Sequence, residues 1–343
     1  LAAYDGFFDL AGLREWCDAD KQEGTMSMAD LLAKANGGAA ETSWWEVPFP
    51  SLDILNKACG AVPRTRDVTV SIEQAFLGVK DSLKVFLDPM TQPLSWMLDG
   101  TLALFVGAPW WVLIAVILCV TYYASRNVMV TIFVAFAFFL LAFIDHYTYA
   151  VQTLAIIFVC TLLSVLLGVP IGIAMSKSNT FQRFTIPILD MLQTLPSFVY
   201  LIPLIFLFSV TESKLYGIAI IMYAIVPVVR LTDLGIRLVD KDVIEAADAF
   251  GMSSRQKLFG VEIPLALPNI MAGVNQTIMM ALAMVVIASL VSAPGLGTLV
   301  LRGIRNLELG VGLVSGFAIV LLAVVLDRVS KASLARLNAS QSH

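Results

Sequence analysis

The chain has 343 residues, of which 58% are hydrophobic and only 14% charged, and its mean hydropathy is +0.83. A soluble domain carries roughly 25% charged residues, so the composition excludes one and points to an all-α polytopic membrane protein. Charge is unevenly placed: residues 1–100 hold 8 Lys+Arg against 15 Asp+Glu, a net of −7, and residues 101–343 a net of +3. That division predicts an acidic aqueous tail followed by a membrane body.

The tail shows no secretory signal pattern, and Leu1 in place of Met implies that one or more residues have been lost from its start. Its Cys17 and Cys59 could pair if the tail is extracytoplasmic, where disulfides persist, but spacing alone leaves them bonded or free. Trp44-Trp45, with Pro48 and Pro50 nearby, read as tail packing or interface anchors, with a docking surface as the alternative.

Seven charge-free apolar segments follow, at roughly 102–123, 128–144, 149–175, 191–210, 215–229, 269–292 and 309–326. A span needs ~20 residues, so the fifth is short unless it runs on towards Arg230. Pro196 and Pro203 predict that the fourth is either harmlessly kinked or broken where it faces protein or a pathway. Cys119 and Cys160 read as small buried hydrophobes. Trp110-Trp111, Tyr122-Tyr123, Tyr147 and Tyr149 read as interfacial anchors. Gly168, Gly172, Gly273, Gly310, Gly312 and Gly316 read as sites of close helix packing. With the tail outside, the cytoplasmic loops hold 11 Lys+Arg, Arg126 and Arg336 among them, and the outside loops only 3. Positive charge stays inside, so the tail is expected outside and the C-terminus in the cytoplasm.

The polar stretch between the fifth and sixth segments then faces the cytoplasm. Val243 to Phe250 is a good helix former, and Gly251 fits a helix C-cap. Ser253-x-x-Gln256 has capping-box spacing, which predicts a second short helix from Ser254 to Gly260. Pro264 and Pro268 are expected to keep that helix from fusing with the next span. Ala246 and Ala247 would admit a partner closely, while Glu245, Asp248, Arg255 and Lys257 supply rim contacts. Composition alone leaves an ordinary amphipathic loop open. Within the spans, Gln193, Asn275, Gln276, Ser289 and Ser292 are the candidates for lining a pathway, and each could instead bond a neighbouring helix. No G-x-x-x-x-G-K-[ST] loop occurs, so ATP is not bound by that route. His146 and His343 are the only histidines and form no metal-ligand cluster.

Glu245-Ala246-Ala247-x3-Gly251, followed after nine residues by Val261-Glu262-Ile263-Pro264, resembles the coupling-loop signature of bacterial ABC-importer permeases. The runs Asp190–Pro203, Pro227–Arg237 and Pro264–Leu282, with Gly295-Leu296-Gly297 and Leu301-Arg302-Gly303-Ile304, narrow the resemblance to permeases of glycine betaine/proline betaine importers. The resemblance implies a type I importer transmembrane domain. Two accessory helices would cover 101–147, a permease core 148–330 with its coupling loop at 237–264, and a cytoplasmic tail 331–343. It implies a homodimer in the bacterial inner membrane, a separate ATPase that binds ATP-Mg, and a separate periplasmic binding protein. This chain would then hold no cofactor and catalyse nothing. Glu245, Ala246, Ala247, Gly251 and Pro264 would carry the coupling. The substrate would be a betaine, or choline, carnitine or trimethylamine N-oxide. The alternative is an ion-gradient-driven secondary transporter or channel, which needs ionisable residues at midplane that the segments lack.

Overall fold

A helix is the only local structure in which an apolar segment satisfies its own backbone inside lipid, short of a closed barrel. All regular structure among the described residues of this computed structural model is helical. Those residues are 49–341, with Tyr4, Phe8, Gly12, Leu13, Trp16 and Cys17, so the Trp44-Trp45 pair lies outside them. The chain divides into two compact units, Leu1–Leu83 and Lys84–His343.

In the first unit, α1 (Leu52–Ala58) leads to a disulfide between Cys17 and Cys59. Phe8, Tyr4, Leu55, Ala61 and Val62 pack around it. Asp53 accepts from the Thr65 N–H at 2.9 Å and so caps the start of α2 (Thr65–Gly107). The boundary expected at residue 100 falls inside α2. Charge density marks where acidic residues cluster, and Asp81, Asp88 and Asp99 all sit on this helix without interrupting it.

The second unit continues through α3 (Trp110–Ser125), α4 (Val128–Phe143), α5 (Tyr147–Lys177), α6 (Asn179–Thr194), α7 (Leu201–Leu207) and α8 (Ser213–Arg237). Then come α9 (Lys241–Ala249), α10 (Ser254–Lys257), α11 (Ile263–Ala288), α12 (Leu296–Asn306) and α13 (Leu309–Gln341). The expected seven spans are not seven straight helices. Among the described residues, four stretches are long and apolar enough to cross a membrane, and a fifth if α2 and α3 count as one span. Those two are bent by 112° across Ala108-Pro109. Proline pushes the residue before it out of the helical region, so the apolar run 102–123 breaks where its hydropathy does not. At 16 residues, α4 is about 24 Å long, short of a ~30 Å core.

The fourth segment resolves the choice left open by its prolines. It is broken: α6 stops at Thr194, Pro196 lies in the gap, and α7 starts at Leu201. Pro203 stands in the first turn of α7, where a missing N–H removes no helical bond.

The core is built from α5, α8 and α11. A Cβ at Gly168 would lie 2.4 Å from Val228 Cγ1, and one at Gly172 2.6 Å from the Val229 carbonyl oxygen, so α5 and α8 meet backbone to backbone. Gly273 likewise brings α11 close to α8, where an added Cβ would lie 3.0 Å from Val228 Cα. Gly310 and Gly316 differ from expectation, with nothing within 4 Å of either site in this chain.

Candidate functional site

Between α8 and α11 the chain makes a capped bend. Asp240 opens α9 by accepting from the Asp242 N–H at 3.0 Å. The helix closes with Gly251 N–H on the Asp248 carbonyl at 2.9 Å and Met252 N–H on the Ala247 carbonyl at 3.1 Å. This paired closure requires a left-handed residue, and Gly251 has φ +73°. A Cβ there would meet nothing within 4 Å, so the glycine serves backbone conformation and not space. Ser253 and Gln256 then form the reciprocal cap of α10, with Gln256 Oε1 accepting from the Ser253 N–H at 2.8 Å. Lys257 Nζ reaches back to both oxygens of Asp248, at 2.6 and 2.9 Å, and ties the two sides of the bend.

Pro264 does not separate α10 from the span. Leu258–Glu262 form a π turn, in which the Ile263 N–H bonds the Leu258 carbonyl, and Ser254–Val291 run as one rod. Proline clashes with the carbonyl four residues back in an α-helix; the wider turn, bonding five residues back, accommodates it. The bend is therefore continuous with α11.

Of the predicted coupling residues, Glu245, Ala246, Gly251 and Pro264 are exposed and Ala247 is buried in the bend. Behind them stands a polar brace. Glu262, with its side chain 6% exposed, pairs with Lys177 at the end of α5. Arg237 donates to Asp233 at 2.8 Å, to Asn179 Oδ1 at 2.9 Å and to the Met175 carbonyl at 2.7 Å. Gln182 donates to the other Asp233 oxygen at 2.7 Å. The ends of α5, α6 and α8 are thereby joined.

The pathway candidates separate into two groups. Gln193, just before the break after α6, points its Nε2 at Met280 Sδ of α11, 3.7 Å away. Tyr200, the last residue of the break, points its hydroxyl at Met284 Sδ, also 3.7 Å away. Gln276 is exposed and lies one turn before Met280 on the same face. Asn275 lies about 140° around α11 from Met280 and accepts from Ser330 of α13. Ser289 donates to its own helix at Val286, 2.6 Å, and Ser292 ends the following turn with φ +69°. Gln193 and Gln276 thus share a face beside a helix break, while Asn275 and Ser289 have internal partners.

Residues 164–340, more than half of the chain, match the family of binding-protein-dependent transport system inner membrane components. The chain belongs to this family. A glycine betaine transport system permease protein of Bacillus subtilis is 38% identical over 266 residues, 77% of this permease and 89% of the relative. A glycine betaine/proline betaine transport system permease protein of Escherichia coli is 41% identical over 241 residues, 70% of this permease and 67% of the relative. In fold, the permease resembles a chain of an inward-facing MetNI methionine ABC transporter, with a TM-score of 0.51 at 18% identity, covering 56% and 95% of the two chains. Membership favours the ABC importer over the ion-driven alternative, and places this permease among inner-membrane transport components that depend on a binding protein.

Several residues of the permease that matter to this arrangement escape a reading of its sequence. Phe250, at the crest of the bend, is 88% exposed. Its position just before Gly251 was the available signal. Lys177 and Glu262 are far apart in sequence, so no local pattern joins them. Met280, Met284 and Tyr200 read as ordinary span residues until the break after α6 sets them opposite one another.

Proposed function

We propose that this permease moves a quaternary amine of the betaine class, taking it from a periplasmic binding protein and drawing the work from a separate ATPase. The observation that carries the reading is the exposed α9–Gly251–α10 bend, continuous with the rod that bears Met280 and Met284. Force applied at Glu245, Ala246, Ala247, Gly251 and Phe250 enters α11 through the π turn and reaches the face shared with Gln193 and Gln276. The relatives named for glycine betaine support the substrate class. Quaternary ammonium groups are selected by aromatic cages, which in this scheme belong to the binding protein.

Each chain carries one such bend, so two ATPases call for two copies of the permease, related by a two-fold axis along the membrane normal. ATP and Mg²⁺ stay on the ATPase, and this chain performs no chemistry of its own. The tail faces the periplasm: the Cys17–Cys59 disulfide suits an oxidising compartment, and the loop charges point the same way.

The test is uptake of radiolabelled glycine betaine, choline, carnitine and trimethylamine N-oxide into proteoliposomes holding the permease, its ATPase and its binding protein. ATP-dependent uptake of at least one, abolished when either partner is left out, is the expected result. Uptake driven by a proton or sodium gradient without the ATPase would refute the reading.

A further inference from the structure

Away from the coupling bend, an apolar cavity of about 480 Å³ lies among the end of α2, α3, α4, α5 and α13. Val112, Val116 and Thr121 of α3, Phe158 of α5, and Val325 and Val329 of α13 help to line it. From Val112 to Thr121 the wall is about 14 Å long at ~1.5 Å per residue, close to half of a ~30 Å hydrocarbon core. Its depth is that of one leaflet.

Beyond Thr121 and Val329 stand two arginines. Arg336 Nη1 donates to the Tyr123 carbonyl at 2.7 Å, and its guanidinium lies 5.8 Å from the Tyr123 ring centroid. The Arg126 guanidinium lies 5.2 Å from the same centroid. Arg336 follows Val329 by seven residues, nearly two full turns, so it continues the stripe of α13 that lines the cavity. Lys177, Lys214, Arg230, Arg237, Arg302 and Lys331 each have a carboxylate partner. Among the described residues no carboxylate pairs with Arg126 or Arg336; the same holds for Arg183, Lys241, Arg255, Arg305 and Arg328, but Arg126 and Arg336 are brought together on one ring next to the cavity. Two cations gathered on one ring repel each other unless an anion sits with them.

With the orientation proposed above, on which the choice of leaflet rests, we propose that this groove holds an acyl chain of one anionic phospholipid from the cytoplasmic leaflet, with the lipid phosphate bound by Arg126 and Arg336. The apolar wall takes the chain and the paired arginines take the charge. A zwitterionic lipid would bring its own cation to the same two arginines and is disfavoured. Basic groups beside membrane helices on the cytoplasmic side select acidic headgroups in this way.

Native mass spectrometry of the purified importer complex tests the assignment, with phosphatidylglycerol and phosphatidylcholine of identical chains titrated after delipidation. Wild type should retain phosphatidylglycerol about 30-fold better than the Arg126→Gln/Arg336→Gln variant, from two arginine contacts at an acidic headgroup. Phosphatidylcholine should be retained alike by both. Val116→Trp, which fills the groove and leaves the arginines, should also lose phosphatidylglycerol, whereas Lys331→Gln, on the same helix but already ion-paired, should not. Equal retention of the two lipids by wild type, or unchanged phosphatidylglycerol retention in the double arginine variant, overturns the proposal. So does a cross-link between two copies through Val116→Cys, which would give the groove to a second permease.

Discussion

The two ends of the α11 rod are held by different chemistry. At the end carrying the proposed coupling bend, Lys177–Glu262 ties α5 to the π turn, Lys257–Asp248 closes the bend, and Arg237 and Asp233 of α8 bond Asn179 and Gln182 of α6, all through charge-assisted bonds. At the break after α6, Gln193 and Tyr200 point their polar atoms at methionine sulfurs, each at 3.7 Å. Sulfur is a weak acceptor on a flexible chain, and a hydrogen bond to a charged group is roughly twice as strong as one between neutral groups. The difference suits a machine in which one end must not yield and the other must open.

The largest effect is expected at Gly251. Gly251→Val should abolish uptake, with the ATPase either detached or hydrolysing without transport, at a backbone cost of about 1–2 kcal/mol for a residue with a Cβ. Because nothing surrounds the site, substitutions should rank by tolerance of positive φ alone. Gly251→Asn should keep most uptake, Gly251→Ala less, and Gly251→Val none. Uptake and ATPase activity in proteoliposomes would check the order, and normal uptake by Gly251→Val would remove the bend from the mechanism.

Next is the brace. Lys177→Met leaves Glu262 buried without its cation. Breaking a fully buried pair costs about 3–5 kcal/mol, and because Lys177 is 44% exposed the expectation is about 1–3 kcal/mol. A lower melting temperature in detergent, recovered in Lys177→Met/Glu262→Gln, is the outcome to look for. Failure of the second change to restore stability would show that the pair does not hold the turn.

A sharper and smaller contrast separates the two span candidates. Gln193→Leu should alter the KM for substrate without lowering the melting temperature. Asn275→Leu should do the reverse, since it loses an interhelical bond worth ~0.6 kcal/mol. The smallest effect is expected at Glu245→Gln, an exposed charge on α9, with uptake reduced less than about fivefold.

Local chemistry made the bend legible. The positive φ of Gly251 and the Ser253–Gln256 cap both follow from side-chain types at fixed spacing, and the structure has both. Hydropathy located the apolar runs but not their interruptions, because Pro109 and Pro196 act on the backbone while contributing little to polarity. The expected stop at Pro264 differs for a related reason: a π turn can absorb a proline, and no side-chain pattern announces one. Within the candidate site, Gln193 and Asn275 are indistinguishable as sequence. Only the facing of α6 and α13 against α11 shows that one meets Met280 and the other Ser330. The disulfide was open on spacing, since its formation depends on which compartment the tail enters.

The rod Ser254–Val291 has 38 residues, or about 57 Å at ~1.5 Å per residue, nearly twice a ~30 Å hydrocarbon core. In the proposed mechanism the excess length stands outside the lipid and works as a lever whose fulcrum is the membrane surface. Bilayer thickness then sets the mechanical advantage: longer lipid chains swallow part of the overhang and shorten the arm on which the partner pushes. The ratio of substrate moved to ATP consumed should therefore fall as acyl chains lengthen, even though no residue of the permease has changed.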